Sequence, residues 1–131
     1  MKSLSFLILV IVVLFLSDNN SIEHTNTTDK GVKVSWSKAD SKAYARDKLS
    51  EWQDEQWSCL NRLWGKESAW NPDAYNTVRV MGKHAGGIPQ LLGLDPATPA
   101  PRQIERGLDY IYYRYTTPCE AWSHFKRAGS Y

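Results

Sequence analysis

The chain has 131 residues, a formal net charge of +2 and an aromatic content of 12%. It has no basic run and no stripe of lysine and arginine interleaved with aromatic residues, which excludes the usual electrostatic footprint of a nucleic-acid-binding protein. The length leaves room for one domain, whose core is expected to take up most of the aromatic side chains.

The N-terminal residues have the composition of a targeting segment. Lys2 precedes an apolar run from Leu4 to Leu16, which is shorter than the roughly 20 residues of a membrane-spanning helix. We interpret residues 1–17 as a signal peptide, with an uncleaved signal anchor as the alternative, and expect a secreted or cell-wall-associated protein. Residues 18–31 are rich in Asn, Ser, Thr and Asp and are predicted to form a disordered tether. The folded domain is therefore predicted to span residues 32–131.

The domain is predicted to be mainly helical, because strand signals are confined to the short clusters Val32–Val34 and Val78–Val80. A first helix is predicted over Lys38–Glu51. Its apolar face is thin and consists of Ala43, Ala45 and Leu49.

A second helix is predicted to follow Asp54, which is a good N-cap residue, and to end at Asn71-Pro72. Apolar residues recur at steps of three and four along it: Trp57, Leu60, Leu63 and Trp64. Extending the same spacing places Glu67 on the stripe that faces the core, near the C-terminal end of the helix. An acidic residue therefore occupies a position where an apolar one is expected.

The segment from Tyr75 to Pro101 is rich in Gly and Pro and is predicted to be a long loop. A third helix follows, which should stop before Pro118. One face of this helix carries Ile104, Leu108, Ile111 and Tyr115. Thr117 and Glu120 have the spacing of a capping box, with proline at the first helical position, and predict the start of a fourth helix.

Cys59 and Cys119 are the only two cysteines. An even count in a chain with export features favours a disulfide. A metal site is disfavoured because the three histidines lie far apart in sequence and neither cysteine has another at ligand spacing. No cofactor is expected.

Glu67 is the candidate for acid–base chemistry. Cleavage of a glycosidic bond needs a carboxyl that is still protonated near neutral pH, and burial beside apolar or aromatic groups raises a glutamate pKa into that range. Leu63, Trp64 and Trp70 lie near Glu67 in the predicted helix and the residues after it. The competing interpretation is structural, in which Glu67 pairs with an arginine or caps a loop.

Two short motifs resemble those of one enzyme family. The run from Glu67 to Pro72 resembles the glutamate-serine motif of soluble lytic transglycosylases and goose-type lysozymes, and Gly87–Gln90 resembles their Gly-Leu-Met-Gln motif. Gly107–Ile111 is similar to the tyrosine-bearing helix of that family. Pro118–His124 and the Trp-x-Cys-Leu segment Trp57–Leu60 are similar to a secreted actinobacterial-type branch.

The resemblance implies a lysozyme-like α fold and a single catalytic acid and base, which is Glu67. It implies that Ser68, Gln90 and Tyr110 line the glycan cleft, and we expect Tyr75 and Asn76 to contact substrate as well. The structural alternatives are a hydroxyl bonded to its own helix for Ser68, a loop amide for Gln90 and core packing for Tyr110. One departure is Gly86, since family members usually place Tyr or Phe before the second motif.

The predicted function is lytic cleavage of the MurNAc-GlcNAc bond of peptidoglycan, leaving 1,6-anhydro-MurNAc ends, by a monomer without nucleic-acid partners. Membrane association is expected only through an uncleaved signal anchor. Alternatives are lysozyme-type hydrolysis by Glu67, a non-catalytic peptidoglycan-binding module, and a helical exoprotein without this activity. A paired-carboxylate glycosidase would need a second acid. The candidates for it are Asp73, Asp95, Glu105 and Asp109.

A chain that starts at Gly31 is expected to fold and to keep any wall-clearing activity, because the preceding polar segment has almost nothing apolar to bury. Circular dichroism and clearing of purified cell wall, measured beside a chain that starts at Asp18, check this prediction. An insoluble or inactive short chain beside a sound longer one would make the polar segment part of the domain.

Overall fold

The computed structural model describes residues 35–131 and is mainly helical. The four helices are α1 Lys38–Lys48, α2 Asp54–Ser68, α3 Ala100–Tyr115 and α4 Pro118–Ala128. Three short strands lie between α2 and α3: β1 Tyr75–Val80, β2 Lys83–Gly86 and β3 Leu91–Leu92. The prediction of a mainly α domain is confirmed. The targeting segment 1–17, the tether 18–31 and the cluster Val32–Val34 lie outside the described residues.

Helix α1 begins where a capping box satisfies its first backbone amides. The Ser37 hydroxyl accepts a hydrogen bond from the Asp40 amide at 3.1 Å, and the Asp40 carboxylate accepts one from the Ser37 amide at 3.0 Å. The helix ends at Lys48, three residues earlier than predicted, where Leu49 leaves helical geometry. Its buried residues are Ser41 and Ala45, whereas the predicted core residue Ala43 is exposed.

Helix α2 differs from its prediction at both ends. Gln53 is the N-cap, and Asp54 is the first helical residue, where its negative charge favours the N-terminal end of the helix dipole. The helix ends at Ser68, ahead of Asn71-Pro72, because Ala69 and Trp70 adopt left-handed backbone angles with φ of 51° and 59°. This turn brings the Trp70 indole back onto α2, where its ring nitrogen donates to the Asn61 carbonyl at 3.2 Å.

The prediction of a long loop between Tyr75 and Pro101 is wrong. The strands pair as one antiparallel sheet in the order β1, β2, β3. Val80 pairs with Lys83, and the two residues between them, Met81 and Gly82, both have positive φ, as a type I′ hairpin turn requires. Every residue of β1 is exposed, so the strand lacks the alternation of buried and exposed residues that marks a strand in a sequence.

Helix packing encloses one apolar core. Helix α2 packs against α4, and α1 packs against α3. The largest fully buried apolar side chains are Trp64, Leu60, Leu63, Ile88, Ile104 and Ile111, with Trp70 almost fully buried beside them. The predicted apolar face of α3 is confirmed, with Ile104 and Ile111 buried and Leu108 and Tyr115 partly buried against the core.

The predicted start of α4 and the predicted disulfide are both confirmed. Thr117 is the N-cap, its hydroxyl accepts from the Glu120 amide at 3.2 Å, and Pro118 is the first helical residue. Cys59 in α2 is bonded to Cys119 in the first turn of α4. The Gln56 side-chain oxygen also accepts from the Cys119 amide at 3.0 Å, so two interactions join these helices at one place.

Replacing both cysteines by serine should lower the free energy of unfolding by about 4 kcal/mol, because the bridge closes a loop of 60 residues in the denatured chain. Denaturant unfolding of the parent and the double variant measures the difference. The parent treated with a reductant is the control and should unfold near the midpoint of the variant. An unchanged midpoint in both would contradict a stabilising role for the bridge.

Candidate functional site

The last turn of α2 carries Glu67, whose side chain is half-buried. Burial raises the pKa of the Glu67 carboxyl from its ordinary value of 4.5 to about 7. No hydrogen bond or ion pair joins this carboxyl to another residue between Ser35 and Tyr131, so the arginine-pairing interpretation has no support in this part of the chain. The carboxyl can therefore hold a proton near neutral pH and release it.

Glu67 lines an open cleft of about 590 Å³. Its lining residues come from the end of α2, from the start of β1 and the residue before it, and from Gln90. Five of the six residues predicted for the site line this cleft: Glu67, Ser68, Tyr75, Asn76 and Gln90. The sheet, which the sequence did not predict, is what brings Tyr75 and Asn76 to the end of α2.

Ser68 joins the two motifs. Its hydroxyl donates to the Ile88 carbonyl oxygen at 2.7 Å, whereas the distance to the Trp64 carbonyl oxygen in its own helix is 3.4 Å. The predicted structural alternative, a hydroxyl bonded to its own helix, thus describes only the weaker contact. Ser68 fixes the Gly87–Gln90 segment at the end of α2.

Gln90 combines a structural role with a position in the cleft. It has a left-handed φ of 51°, and its side-chain nitrogen donates to the carbonyl oxygens of Gly87 at 2.9 Å and Ala74 at 3.3 Å. The loop-amide interpretation therefore holds for the nitrogen. The amide oxygen has no partner between Ser35 and Tyr131, which leaves it able to accept a hydrogen bond from a ligand.

Tyr75 and Asn76 shape the entrance from the side of β1. The Tyr75 ring is 51% exposed and lies tilted against the His84 ring, with the two centroids 4.8 Å apart. The Asn76 side-chain oxygen accepts from the Val78 amide at 2.9 Å, and its backbone carbonyl lies 3.0 Å from a His84 ring nitrogen. A supported and exposed aromatic ring at a polar cleft suits contact with the apolar face of a sugar.

Tyr110 does not line the cleft. Its ring packs edge-on against Tyr131, with centroids 5.6 Å apart. Sequence reasoning missed Tyr131, whose hydroxyl accepts from the Trp64 ring nitrogen at 2.9 Å and donates to the Pro89 carbonyl at 2.7 Å. Burial, together with the negative charge of nearby Glu67, raises the pKa of the Tyr131 hydroxyl well above its usual range. Tyr131 therefore stays neutral, near Glu67 and in contact with the Tyr110 ring.

A second residue that the sequence analysis missed is Gln103, which is fully buried in α3. Its side-chain oxygen accepts from the Ile88 amide at 2.8 Å. Its nitrogen donates to the carbonyl oxygens of Pro72 at 2.9 Å and Thr98 at 2.8 Å. Gln103 directly precedes Ile104 on the buried stripe of α3, and that position is the one signal the sequence offered.

Two glycines allow the close approaches that the site needs. A Cβ on Gly107 would lie 2.6 Å from the Trp64 ring and 2.7 Å from the Pro89 Cβ, so glycine lets α3 approach the second motif. A Cβ on Gly86 would collide with the Leu94 carbonyl oxygen. The aromatic residue that the resembled family usually carries before this motif does not fit here.

The four carboxylates considered as a second acid all lie outside the lining of the Glu67 cleft: Asp73, Asp95, Glu105 and Asp109. Glu105 accepts hydrogen bonds from the Tyr44 hydroxyl at 2.7 Å and from Arg102 at 3.0 Å, and these contacts hold the pKa of Glu105 below its usual value. Among residues 35–131, the one carboxyl that lines the cleft is that of Glu67.

Comparison of the chain with protein-family models, with curated proteins and with solved structures found no match. Within the described part of the chain, no helix is long and apolar enough to cross a membrane. The same residues hold no group of three or more His, Cys, Asp or Glu side chains arranged to bind a metal ion. The geometry of the cleft is thus the main evidence on function.

The raised pKa of Glu67 predicts a pH-dependent stability. The folded protein keeps this proton up to about pH 7, whereas the unfolded chain releases it near pH 4.5, so stability falls as the pH rises between these values. The Glu67→Gln variant has no carboxyl to ionise at this position, so its stability does not fall in this way. Allowing for the partial exposure of the carboxyl, the variant should gain about 1 kcal/mol over the parent between pH 4 and pH 8, or roughly 5 °C in Tm.

Thermal unfolding of the parent and the variant across that pH range measures the gain. Glu51→Gln, which removes an exposed carboxyl outside the helices, is the matched control and should give a constant difference. A Glu67→Gln difference that does not change with pH would mean that Glu67 has no raised pKa.

Proposed function

We propose that this protein is a peptidoglycan lytic transglycosylase, a lysozyme-like enzyme that cleaves the bond between MurNAc and GlcNAc with Glu67 as its single acid and base. The observation that carries the proposal is an unpaired, half-buried carboxyl with a pKa of about 7 in an open cleft. A general acid works best when its pKa lies near the pH at which it acts. The resemblance of the motifs at Glu67 and at Gly87–Gln90 supplies the substrate class.

The contacts between the two motifs also support the proposal. The Ser68 hydroxyl bonds the Ile88 carbonyl, and Tyr131 links the Trp64 ring to the Pro89 carbonyl. These bonds hold the second motif at a fixed distance from the Glu67 carboxyl without using that carboxyl. Preorganised groups of this kind cost little rearrangement during the reaction.

The proposed reaction uses one carboxyl twice. Protonated Glu67 donates its proton to the glycosidic oxygen, the bond from that oxygen to C1 of MurNAc breaks, and GlcNAc leaves with a new hydroxyl. The Glu67 carboxylate then accepts the proton of the MurNAc C6 hydroxyl as the C6 oxygen bonds to C1. The ring closes as a 1,6-anhydro sugar, no water is consumed, and Glu67 regains its proton. A cleft with one carboxyl suits this route better than a paired-acid mechanism.

Ser68, Gln90, Tyr75 and Asn76 are proposed to position the glycan, with Gln90 offering its free amide oxygen and Tyr75 its exposed ring. Tyr110 acts on the site through Tyr131 rather than as part of the cleft surface. Secretion or cell-wall association belongs to the same proposal, and the disulfide between Cys59 and Cys119 is compatible with an extracytoplasmic location.

Glu67→Gln should fold normally and lose wall clearing by roughly a hundredfold or more, because the amide cannot exchange the catalytic proton. Asp109→Asn, which removes an exposed carboxyl on α3, is the matched control and should clear wall like the parent. Turbidity of purified peptidoglycan and mass analysis of the soluble fragments measure the outcome. The parent should release 1,6-anhydromuropeptides, which are one water lighter than hydrolysed fragments.

The alternatives give different products. Fragments with reducing ends would indicate lysozyme-type hydrolysis by the same acid. Binding to insoluble wall without release of fragments would indicate a peptidoglycan-binding module. A Glu67→Gln variant that clears wall as fast as the parent would disprove the assignment of Glu67.

A further inference from the structure

A second concave region lies where α3 ends and α4 runs past it. The cavity has a volume of about 390 Å³ and shares no lining residue with the Glu67 cleft. Its lining includes two arginines, Arg114 and Arg127, and the polar side chains of Ser123 and His124. This cavity has no part in the reaction proposed above.

The two arginines contact neutral groups. Arg127 donates to the Ser123 hydroxyl at 2.8 Å, and the Arg114 guanidinium lies 5.9 Å from the centroid of the Tyr115 ring. Neither has a carboxylate within 4.0 Å among residues 35–131. Arg102 differs, since it forms an ion pair with Glu105 at 3.0 Å.

One acidic residue, Glu120, also lines the cavity, so two arginines and one glutamate leave a formal charge of +1 with His124 neutral. Arginine presents a fork of N–H groups that matches a carboxylate in two parallel hydrogen bonds. Two guanidinium groups that line one cavity, with no protein carboxylate within 4.0 Å of either among residues 35–131, are suited to bind an anion.

The cavity lies close to the candidate active site. Tyr115 lines the cavity, and its ring centroid is 6.1 Å from that of Tyr131. The Tyr131 hydroxyl is in turn bonded to Pro89 of the second motif and is close enough to Glu67 to respond to its charge. An extended peptide of four residues reaches up to about 14 Å, and the rings of Tyr115 and Tyr131 lie between the cavity and Glu67.

We propose that the cavity between α3 and α4 binds a carboxylate of the acidic peptide that is attached to the glycan strand. This inference rests on the proposed function. Arg114 and Arg127 bind the carboxylate, and Ser123 keeps Arg127 oriented for it. The enzyme would thereby distinguish glycan that carries peptide from bare glycan.

The test compares two substrates that differ only in the peptide. One is peptidoglycan freed of phosphate-containing wall polymers, and the other is the same material after an amidase has removed its peptides. The double variant Arg114→Gln, Arg127→Gln should lose roughly ten- to hundredfold in kcat/KM on the first substrate and nothing on the second. Arg62→Gln, an exposed arginine on α2, is the matched control and should match the parent on both.

Direct binding separates this inference from the proposed function. The free peptide released by the amidase should bind the parent and the Glu67→Gln variant equally in calorimetry, and should bind the double arginine variant at least tenfold more weakly.

If the parent cleaves neither substrate, the proposed function fails, while the peptide-binding measurement still tests the role of the cavity. Equal peptide binding by parent and double variant overturns the inference, and so does an equal loss of activity on both substrates. A loss that appears only on wall that retains its phosphate polymers would assign the cavity to phosphate instead and would also overturn it.

Discussion

The arrangement of this domain depends on one buried amide, that of Gln103. Its oxygen and nitrogen bond backbone groups from three separate segments, at Pro72, Ile88 and Thr98. These segments precede the sheet, follow its second strand and lead into α3. A buried amide that lost these partners would leave several polar groups unpaired at once, which makes the network sensitive to any substitution.

Around this amide, short hydrogen bonds connect α2 to the second motif. The Ser68 hydroxyl reaches Ile88, and the Tyr131 hydroxyl joins the Trp64 ring to Pro89. The Ile88 backbone is therefore held from both sides, through its amide by Gln103 and through its carbonyl by Ser68. Glu67 takes part in none of these hydrogen bonds. Its carboxyl therefore remains able to bind and release a proton.

Much of the fold could be predicted from the sequence, because helix periodicity and a capping box are patterns of neighbouring residues and the chain has only two cysteines to pair. Glu67 was predicted to face the core for the same reason. The sheet could not be predicted, since β1 buries none of its side chains and is held mainly by backbone pairing. Gln103 and Tyr131 were missed because their partners lie as many as 67 residues away, and spacing along a helix does not show which distant carbonyl it will meet. Tyr110, expected in the cleft, instead packs on Tyr131.

The left-handed pair Ala69 and Trp70 limits how the length of this segment can vary. The pair ends α2 directly after Ser68, and the Trp70 indole then anchors the turn on the Asn61 carbonyl. Adding or removing one residue in the last turn of α2 would rotate the residues beyond that point by about 100° around the helix axis. With Trp70 still anchored in the core, Glu67 would point away from the cleft. Related chains that keep a glutamate in this cleft should therefore vary in length in the β1–β2 hairpin and not between Asn61 and Trp70.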